Sequence, residues 1–320
     1  MENDLVRSLR QQSGLITSGI SDAKEVDARM FRSFLQDGTD VHGSHPLFYW
    51  LRSRGRGAFV SNGEASLALS WRPDTGCLVA LRPVGDLEAM VDLLELLASV
   101  TYAKWPNMPL ITRYCNAALA AKLIERAWSQ PSAPWSSNAP SDDETYPEVV
   151  VTGDPAAMPV GTRYWEVRRA LRLHGEECAY RATEALLNCG EADFIAHHAA
   201  RVEHYGEHEK TFNASLLASL GLLHQEGLRY HYLFRHRSIY AFAVTGNMTG
   251  TTHGYYMGAM RGPRLATYFQ WRIYLEERRR GAVALNFGGS ETESLYLYKV
   301  GTFPDHYLQQ TVMLQAPTSR

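Results

Sequence analysis

Residues 129–147, SQPSAPWSSNAPSDDETYP, constrain this chain more than any other stretch of it. Four prolines, five serines and a short acidic run sustain neither a helix nor a central strand, because proline carries no backbone N–H and holds φ near one value. Structureless runs of this length are uncommon inside one compact domain, so the chain is expected to divide here. The division predicts an N-terminal domain over 1–150, with 129–147 as its linker, and a C-terminal domain over 151–320. The 320 residues, 45% of them hydrophobic, are enough for two domains that each bury a core.

Periodicity fills both parts with the same mixture. Alternation and turn residues predict strands over 47–51, 57–60, 65–71 and 77–81. Leu87, Met90, Val91, Leu94, Leu97 and Ala98 recur at helical spacing and predict a helix over 86–100, with another over 117–128. After the linker come a strand over 148–152 and helices over 164–173, 192–205 and 207–223. Strands follow over 229–235, 238–244 and 253–260, then a helix over 263–280 and a strand over 283–287. Antiparallel strands interleaved with a few helices define an α+β chain, and the missing βαβ alternation argues against a doubly wound or barrel fold.

Composition excludes several classes. With 32 Lys/Arg against 34 Asp/Glu, the chain is neither a polybasic nucleic-acid scaffold nor an acidic disordered tail. No apolar run approaches the ~18 residues of a membrane span, and the opening MENDLVRSLRQQSG lacks the apolar stretch of a secretory leader. A cytoplasmic location is expected, with no membrane or DNA partner. Cys77, Cys115, Cys178 and Cys189 are too few for a disulfide framework and lack C-x-x-C spacing. Residues 148–320 hold ten of the twelve histidines and 18 Lys/Arg against 17 Asp/Glu, so polar chemistry concentrates after the linker.

The most informative segment is Asn286-Phe287-Gly288-Gly289-Ser290-Glu291, followed by Glu293, Leu295, Tyr298 and Lys299. A strand enters paired glycines, then a serine and an acid, then a helical stretch. Glycines let the backbone approach another group closely, and a helix start offers N–H donors to an anionic atom. The residues alone fit equally a plain strand-to-helix turn capped by Ser290.

The run FGGSETESLYLYKVGTF resembles the closing motif of Fem-type peptidyltransferases and the related aminoacyl-phosphatidylglycerol synthases, with Gly288, Gly289, Ser290, Leu295, Tyr298, Lys299 and Phe303 at the matching positions. Pro263 through Trp271 and Glu276 to Gly281 resembles the family helix before the catalytic strand. Gly161 through Arg163, Tyr164, Arg168 and Arg172 resembles the entry to its second domain. The resemblance covers about residues 148–315. Ser294 stands where a glycine is usual, and Val300-Gly301 stand where a basic cluster follows the lysine.

The resemblance implies two tandem GNAT-like (acyl-CoA N-acyltransferase) domains, with mixed sheets flanked by helices, and transfer of an amino acid from aminoacyl-tRNA. Because membrane members add a transmembrane region and a basic tail, the expected acceptor is an amine-type group on a soluble small molecule, in natural-product biosynthesis. No cofactor or metal is expected, since the tRNA ester is already activated. The expected catalytic residues are Lys299, Ser290, His253 and Glu291. Lys299 would serve as a cation for a terminal phosphate or an oxyanion, His253 or Glu291 as proton acceptor. Lys299→Ala is then expected to cut turnover with the fold intact. Gly288, Gly289, Asn286, Tyr255, Trp271 and Tyr298 are expected to bind substrate, and Arg168, Arg169, Arg172, Arg278, Arg279 and Arg280 the tRNA.

Other readings stay open. His197, His198, His204 and His208 share helical spacing compatible with a metal, without the H-E-x-x-H order. Arg52 to Gly57, RSRGRG, fits the pyrophosphate loop of acyl-CoA-binding GNAT domains, but a strand follows it where a helix must. An acyl-CoA-dependent N-acyltransferase, or a catalytically silent pair that only binds, are the alternatives.

Overall fold

The computed structural model describes residues 7–9, 11, 15–19, 47, 48, 51, 57–72, 76–131, 146–153, 159–201, 216, 227–247, 250–290 and 292–318. These fall into two compact units, one from the residues before 140 together with Gln310–Arg320, the other from the residues between.

In the first unit β1 (Ile16–Gly19), β2 (Ala58–Ser61), β3 (Ala65–Arg72) and β4 (Cys77–Gly85) form an antiparallel run. α1 (Leu87–Lys104) crosses over to β5 (Leu110–Cys115), which pairs parallel to β4, and α2 (Ala117–Glu125) follows. The outer neighbour of β5 is β13 (Val312–Gln315), from the far end of the chain. Strand β3 is buried at nearly every position, the pattern of a strand covered on both faces rather than the one-sided pattern that alternation predicts. The helix α1 starts where the Asp86 carboxylate accepts the N–H groups of Glu88 and Ala89. It lays Met90, Val91, Leu94 and Leu97 into one core with Val60, Leu67, Leu69 and Leu78.

The second unit repeats the scheme. β6 (Glu148–Val151) and α3 (Trp165–His174) lead into β7 (Ala179–Thr183) and α4 (Glu191–Arg201). β8 (Leu228–Arg235), β9 (Ser238–Asn247) and β10 (Thr251–Ala259) continue the antiparallel run from β7. α5 (Leu265–Arg279) crosses over to β11 (Ala284–Asn286), parallel to β10, and α6 (Glu293–Thr302) and β12 (His306–Gln309) follow. Strand β6 sits between β11 and β12, antiparallel to both. The core joins Val167 and Ala170 of α3 to Leu265, Tyr268, Phe269 and Trp271 of α5, and Phe303 stacks on Phe287 with ring centroids 4.7 Å apart.

Each unit thus has four antiparallel strands, a bulge in the fourth, and a crossover helix into a parallel fifth. This α+β chain is two tandem GNAT-like domains. The position between residues 150 and 151, taken from composition as the domain boundary, falls inside β6, and the last described residues complete the first sheet.

Residues 47–51 differ from expectation. Leu47, Phe48 and Leu51 are helical, and burial at i, i+1 and i+4 is a helix pattern that alternation mimics over so few residues. Strands β1, β5, β7, β12 and β13 were not expected: LITRYC and AYRAT carry no clean alternation, and β1, β12 and β13 are only four residues long. The predicted helix over 207–223 and the RSRG segment lie outside the described residues, apart from Leu216.

Candidate active site

The parallel ladder of the second unit is short, pairing Thr251 with Ala284, Thr252 with Leu285 and His253 with Asn286. Beyond that register the chains part. Phe287 and Gly288 stay on β6, through Phe287 N–H to Val149 O at 3.1 Å and Val149 N–H to Gly288 O at 3.3 Å. β10 instead stays on β9, through the bulge between Gly254 and Tyr256. This parting of the strands, with Gly254 and Tyr255 on one side and Phe287 to Ser290 on the other, is the candidate cleft.

The Gly-Gly turn is built by three neighbours. Asn286, fully buried, accepts the Gly288 N–H on Oδ1 at 2.7 Å and donates from Nδ2 to Glu148 Oε2 at 2.7 Å. Gly288 has φ +69°, where an L side chain is strained. Lys299, reaching back from α6, donates to the carbonyls of Phe287 (2.8 Å), Gly288 (3.2 Å) and Gly289 (2.5 Å). It is 7% exposed, so this is no solvated helix lysine: its ammonium binds the turn itself. The carbonyls of a trans chain that converge on one cation turn their peptide N–H groups the other way.

Ser290 is fully buried, and its Oγ has no hydrogen-bond partner among the described residues. It does not cap α6. Thr292 does, its side chain accepting the Leu295 N–H at 3.2 Å. Glu291 lies outside the described residues. His253 is fully buried beside Tyr255, their rings 6.4 Å apart and nearly parallel. Tyr298 is half-buried, accepts from Thr267 Oγ1 at 3.5 Å, and has its phenol pKa pushed up by burial. Trp271 stands apart from the cleft wall, packed between Tyr164, Tyr274 and Phe303 in the core.

Sequence reading missed Glu148 and Tyr146. Glu148 opens an otherwise all-valine buried strand, which was the available signal. Tyr146 bridges Ser290 through the backbone and stacks on Tyr296 at 5.3 Å, from the linker edge where composition predicts no partner.

The arginines have local partners. Arg168 donates to the carbonyls of Pro159 and Gly161. Arg278 donates to those of Ala282 and Val283, closing the end of α5. Arg279 and Arg280 both bond Glu276, whose carboxyl is held down to about 2, chiefly by the Arg279 hydrogen bond. Arg169 and Arg172 are exposed. His198 accepts from or donates to Tyr256 OH at 3.3 Å, while His204 and His208 lie outside the described residues. No cluster of metal-ligating side chains occurs among the described residues, and no described helix is long and apolar enough to cross a membrane.

The crossover helices define what the clefts accept. At α5, Pro263 has no N–H, the Leu265 N–H is taken by Gly262 O at 3.3 Å, and Arg264 has φ +60° with its side chain on Glu166. At α1 the Asp86 carboxylate occupies the N–H groups of the first turn. An anion-binding helix start needs those N–H groups turned to the ligand; at α1 two of them are on Asp86, and at α5 the Leu265 N–H is on Gly262 O.

The fold and cleft define a tandem GNAT-like protein. Among solved structures, a conserved protein of unknown function from Bacteroides thetaiotaomicron VPI-5482 is 14% identical over 93% of this chain and 97% of its own, with a TM-score of 0.64. L-PGS from Bacillus licheniformis is 13% identical over 92% and 93%, with a TM-score of 0.63. FemX is 11% identical over 81% and 84%, at 0.54. Likeness at such identity establishes the fold. No family profile matches the sequence, and no curated protein does.

Proposed function

We propose that the second unit transfers an aminoacyl group from aminoacyl-tRNA to an amine on a soluble small molecule. The carrying observation is a GNAT-like second unit with its Gly-Gly turn held by Lys299, whose crossover helix begins with Pro263, lacking an N–H, and with the Leu265 N–H already on Gly262 O, two donors fewer for a pyrophosphate cradle. An activated ester on RNA needs no such cradle. The resemblance of Gly288 to Phe303 to the Fem-type closing motif and the fold shared with L-PGS and FemX support the same donor.

In this reading the amine nitrogen attacks the ester carbonyl, a C–N bond forms, the C–O bond to the ribose breaks, and the amine's proton passes to the departing hydroxyl. Lys299 works as a positioning residue: with its donors on three carbonyls, it fixes the shape of the Gly-Gly turn beside the developing oxyanion. Ser290 Oγ supplies a further donor. His253 and Glu291 stand as proton acceptors, with Gly288, Asn286, Tyr255 and Tyr298 shaping the cleft. The reading takes the acceptor to be a soluble small molecule of natural-product biosynthesis, and Val300-Gly301 in place of the basic cluster of the family it resembles are in keeping with that.

The test uses total tRNA charged with labelled amino acids and hydroxylamine or small amines as acceptors. RNase-sensitive transfer is expected, with no rise in Tm on adding acetyl-CoA. Transfer that resists RNase, or clear stabilisation by acetyl-CoA, overturns the donor in favour of an acyl-CoA. No turnover with any donor leaves a binding protein.

A further inference from the structure

Trp165 is 45% exposed at the first turn of α3. An indole left in water forgoes the burial that usually places tryptophan inside. This one is instead braced by two cations: the Arg169 guanidinium lies 5.1 Å and that of Arg264 5.5 Å from the ring. Arg169 is one turn along α3, whereas Arg264 comes from the turn that ends β10, so two elements converge on one ring. Bringing two like charges to one indole is unfavourable unless an anion sits there. Glu166 supplies only part of it, since its carboxylate is bonded to Arg264. That bond, with Arg169 adding to it, holds the Glu166 carboxyl below its usual range.

The surroundings extend the positive field. Arg172 lies exposed one turn beyond Arg169, and Arg261 is exposed on the turn that leads to Arg264. Arg163, also exposed, shares Asp305 across 2.8 Å and covers the Tyr164 ring. Within this surface the Arg169 and Arg264 guanidiniums are fixed by stacking on Trp165, and Arg172 and Arg261 lie exposed beside them. Guanidinium forks match phosphate oxygens, and pre-ordering them reduces the entropy lost on binding. Its place in the fold matters too. Arg264 follows the C-terminal end of β10, the end at which the strand pair opens, and the six residue steps from His253 to Ala259 span ~20 Å.

We propose that Arg169, Arg172 and Arg261, with Arg169 braced by Trp165 and with Arg264 tied to Glu166 at the edge, form a docking surface for the phosphate backbone of the RNA that delivers the aminoacyl group. The proposal rests on the aminoacyl-tRNA reading and gives it an anchor outside the reacting cleft. RNA is favoured over an anionic lipid surface because fixed, stacked guanidiniums suit a rigid helical array of phosphates, whereas membrane-facing arginines lie on chains free to snorkel. Arg168 is not part of the surface, its guanidinium being spent on the Pro159 and Gly161 carbonyls.

The experiment measures binding of deacylated total tRNA to the full chain across a salt series. Trp165→Ala, Trp165→Phe and the pair Arg169→Glu/Arg172→Glu are compared with Arg181→Glu, an exposed arginine on β7. Thermal unfolding of each confirms the fold. The double variant is expected to bind at least ~10-fold more weakly and to lower the slope of log K against log[salt] by roughly 2, one unit per lost phosphate contact. Trp165→Ala is expected to weaken binding a few-fold and Trp165→Phe to restore it, because a ring that braces guanidiniums is replaced by another ring. Arg181→Glu should leave affinity and slope within about twofold.

Equal binding by the double variant and wild type overturns the docking surface, as does no binding of tRNA by wild type. Loss in the variants of binding to phosphatidylglycerol vesicles, with tRNA binding unchanged, overturns it in favour of a lipid surface. The two readings fail separately. Variant-sensitive tRNA binding without any aminoacyl transfer keeps the docking surface and removes the donor assignment, whereas RNase-sensitive transfer unaffected by Arg169→Glu/Arg172→Glu does the reverse.

Discussion

Lys299 shows how far a single side chain departs from its apparent role. Three carbonyls meet its ammonium inside a buried turn, so Lys299→Ala does more than remove a charge from solvent. It takes a donor from three carbonyls, of which Gly288 O keeps the Val149 N–H, and the intact fold expected from sequence is revised. Lys299→Met, which keeps the stem and loses the donors, should destabilise the second unit by about 2–4 kcal/mol and lower kcat more than KM. Denaturant midpoints and turnover on hydroxylamine measure both, and an unchanged midpoint with unchanged kcat would remove the positioning role. His231 gives a second residue-scale prediction. It is fully buried, bonded to Tyr180 OH at 2.7 Å and Thr245 Oγ1 at 2.9 Å, while the nearby Glu277 carboxylate is taken by Arg229 at 2.6 Å. Burial, with Arg229 adding to it, lowers its pKa from 6.5 to about 3. The neutral ring's contribution is whole above pH 6.5 and is lost as pH falls toward 3, at about 1.4 kcal/mol per pH unit. A His231→Gln variant should show a shallower fall of stability across that window, by one proton.

At the scale of elements, the helix starts separate what is structural from what could bind. Asp86 caps α1 by the ordinary rule, legible in the sequence as an acid before an apolar-periodic run. Asp86→Ala should cost about 1 kcal/mol, measured by urea unfolding, and should not create affinity for CoA. Gly85, next to it, has φ +127°, and an added Cβ would lie 2.2 Å from Glu64 O. Gly85→Ala should therefore destabilise the first unit by more than ~3 kcal/mol, and a loss under 1 kcal/mol would show that the β4 bulge relaxes freely. The sequence alone also fitted a cap of α6 at Ser290; both Ser290 and Thr292 precede the helical run, and the three-dimensional path of the turn gives the cap to Thr292. The same path leaves Ser290 Oγ buried with no hydrogen-bond partner among the described residues.

For the whole molecule, the exchange of distant strands matters most. β13 pairs with β5 by Val312 to Cys115, Leu314 to Thr112 and Gln315 to Ile111, and Leu314 and Ala316 are buried in the first core. Deleting residues 310–320 should destabilise the first unit by about 3 kcal/mol or more, seen as early proteolysis of the N-terminal part, while the second unit's transition stays in place. Sequence alone determined the α+β class, the helices α1, α3 and α5 and the strands β8 to β10, because periodicity, turn residues and local spacing act over a few residues. It carried no sign that β13 completes the first sheet or that β6 lies between β11 and β12, since four-residue strands have no pattern of their own and find partners only through tertiary pairing. The bonding of Lys299 to the turn, the pairing of Asn286 with Glu148 across 138 residues of chain and the bracing of Trp165 by Arg264 were likewise decided by the fold. Each joins residues that local interactions never bring together, and burial makes those contacts obligatory once the core has closed.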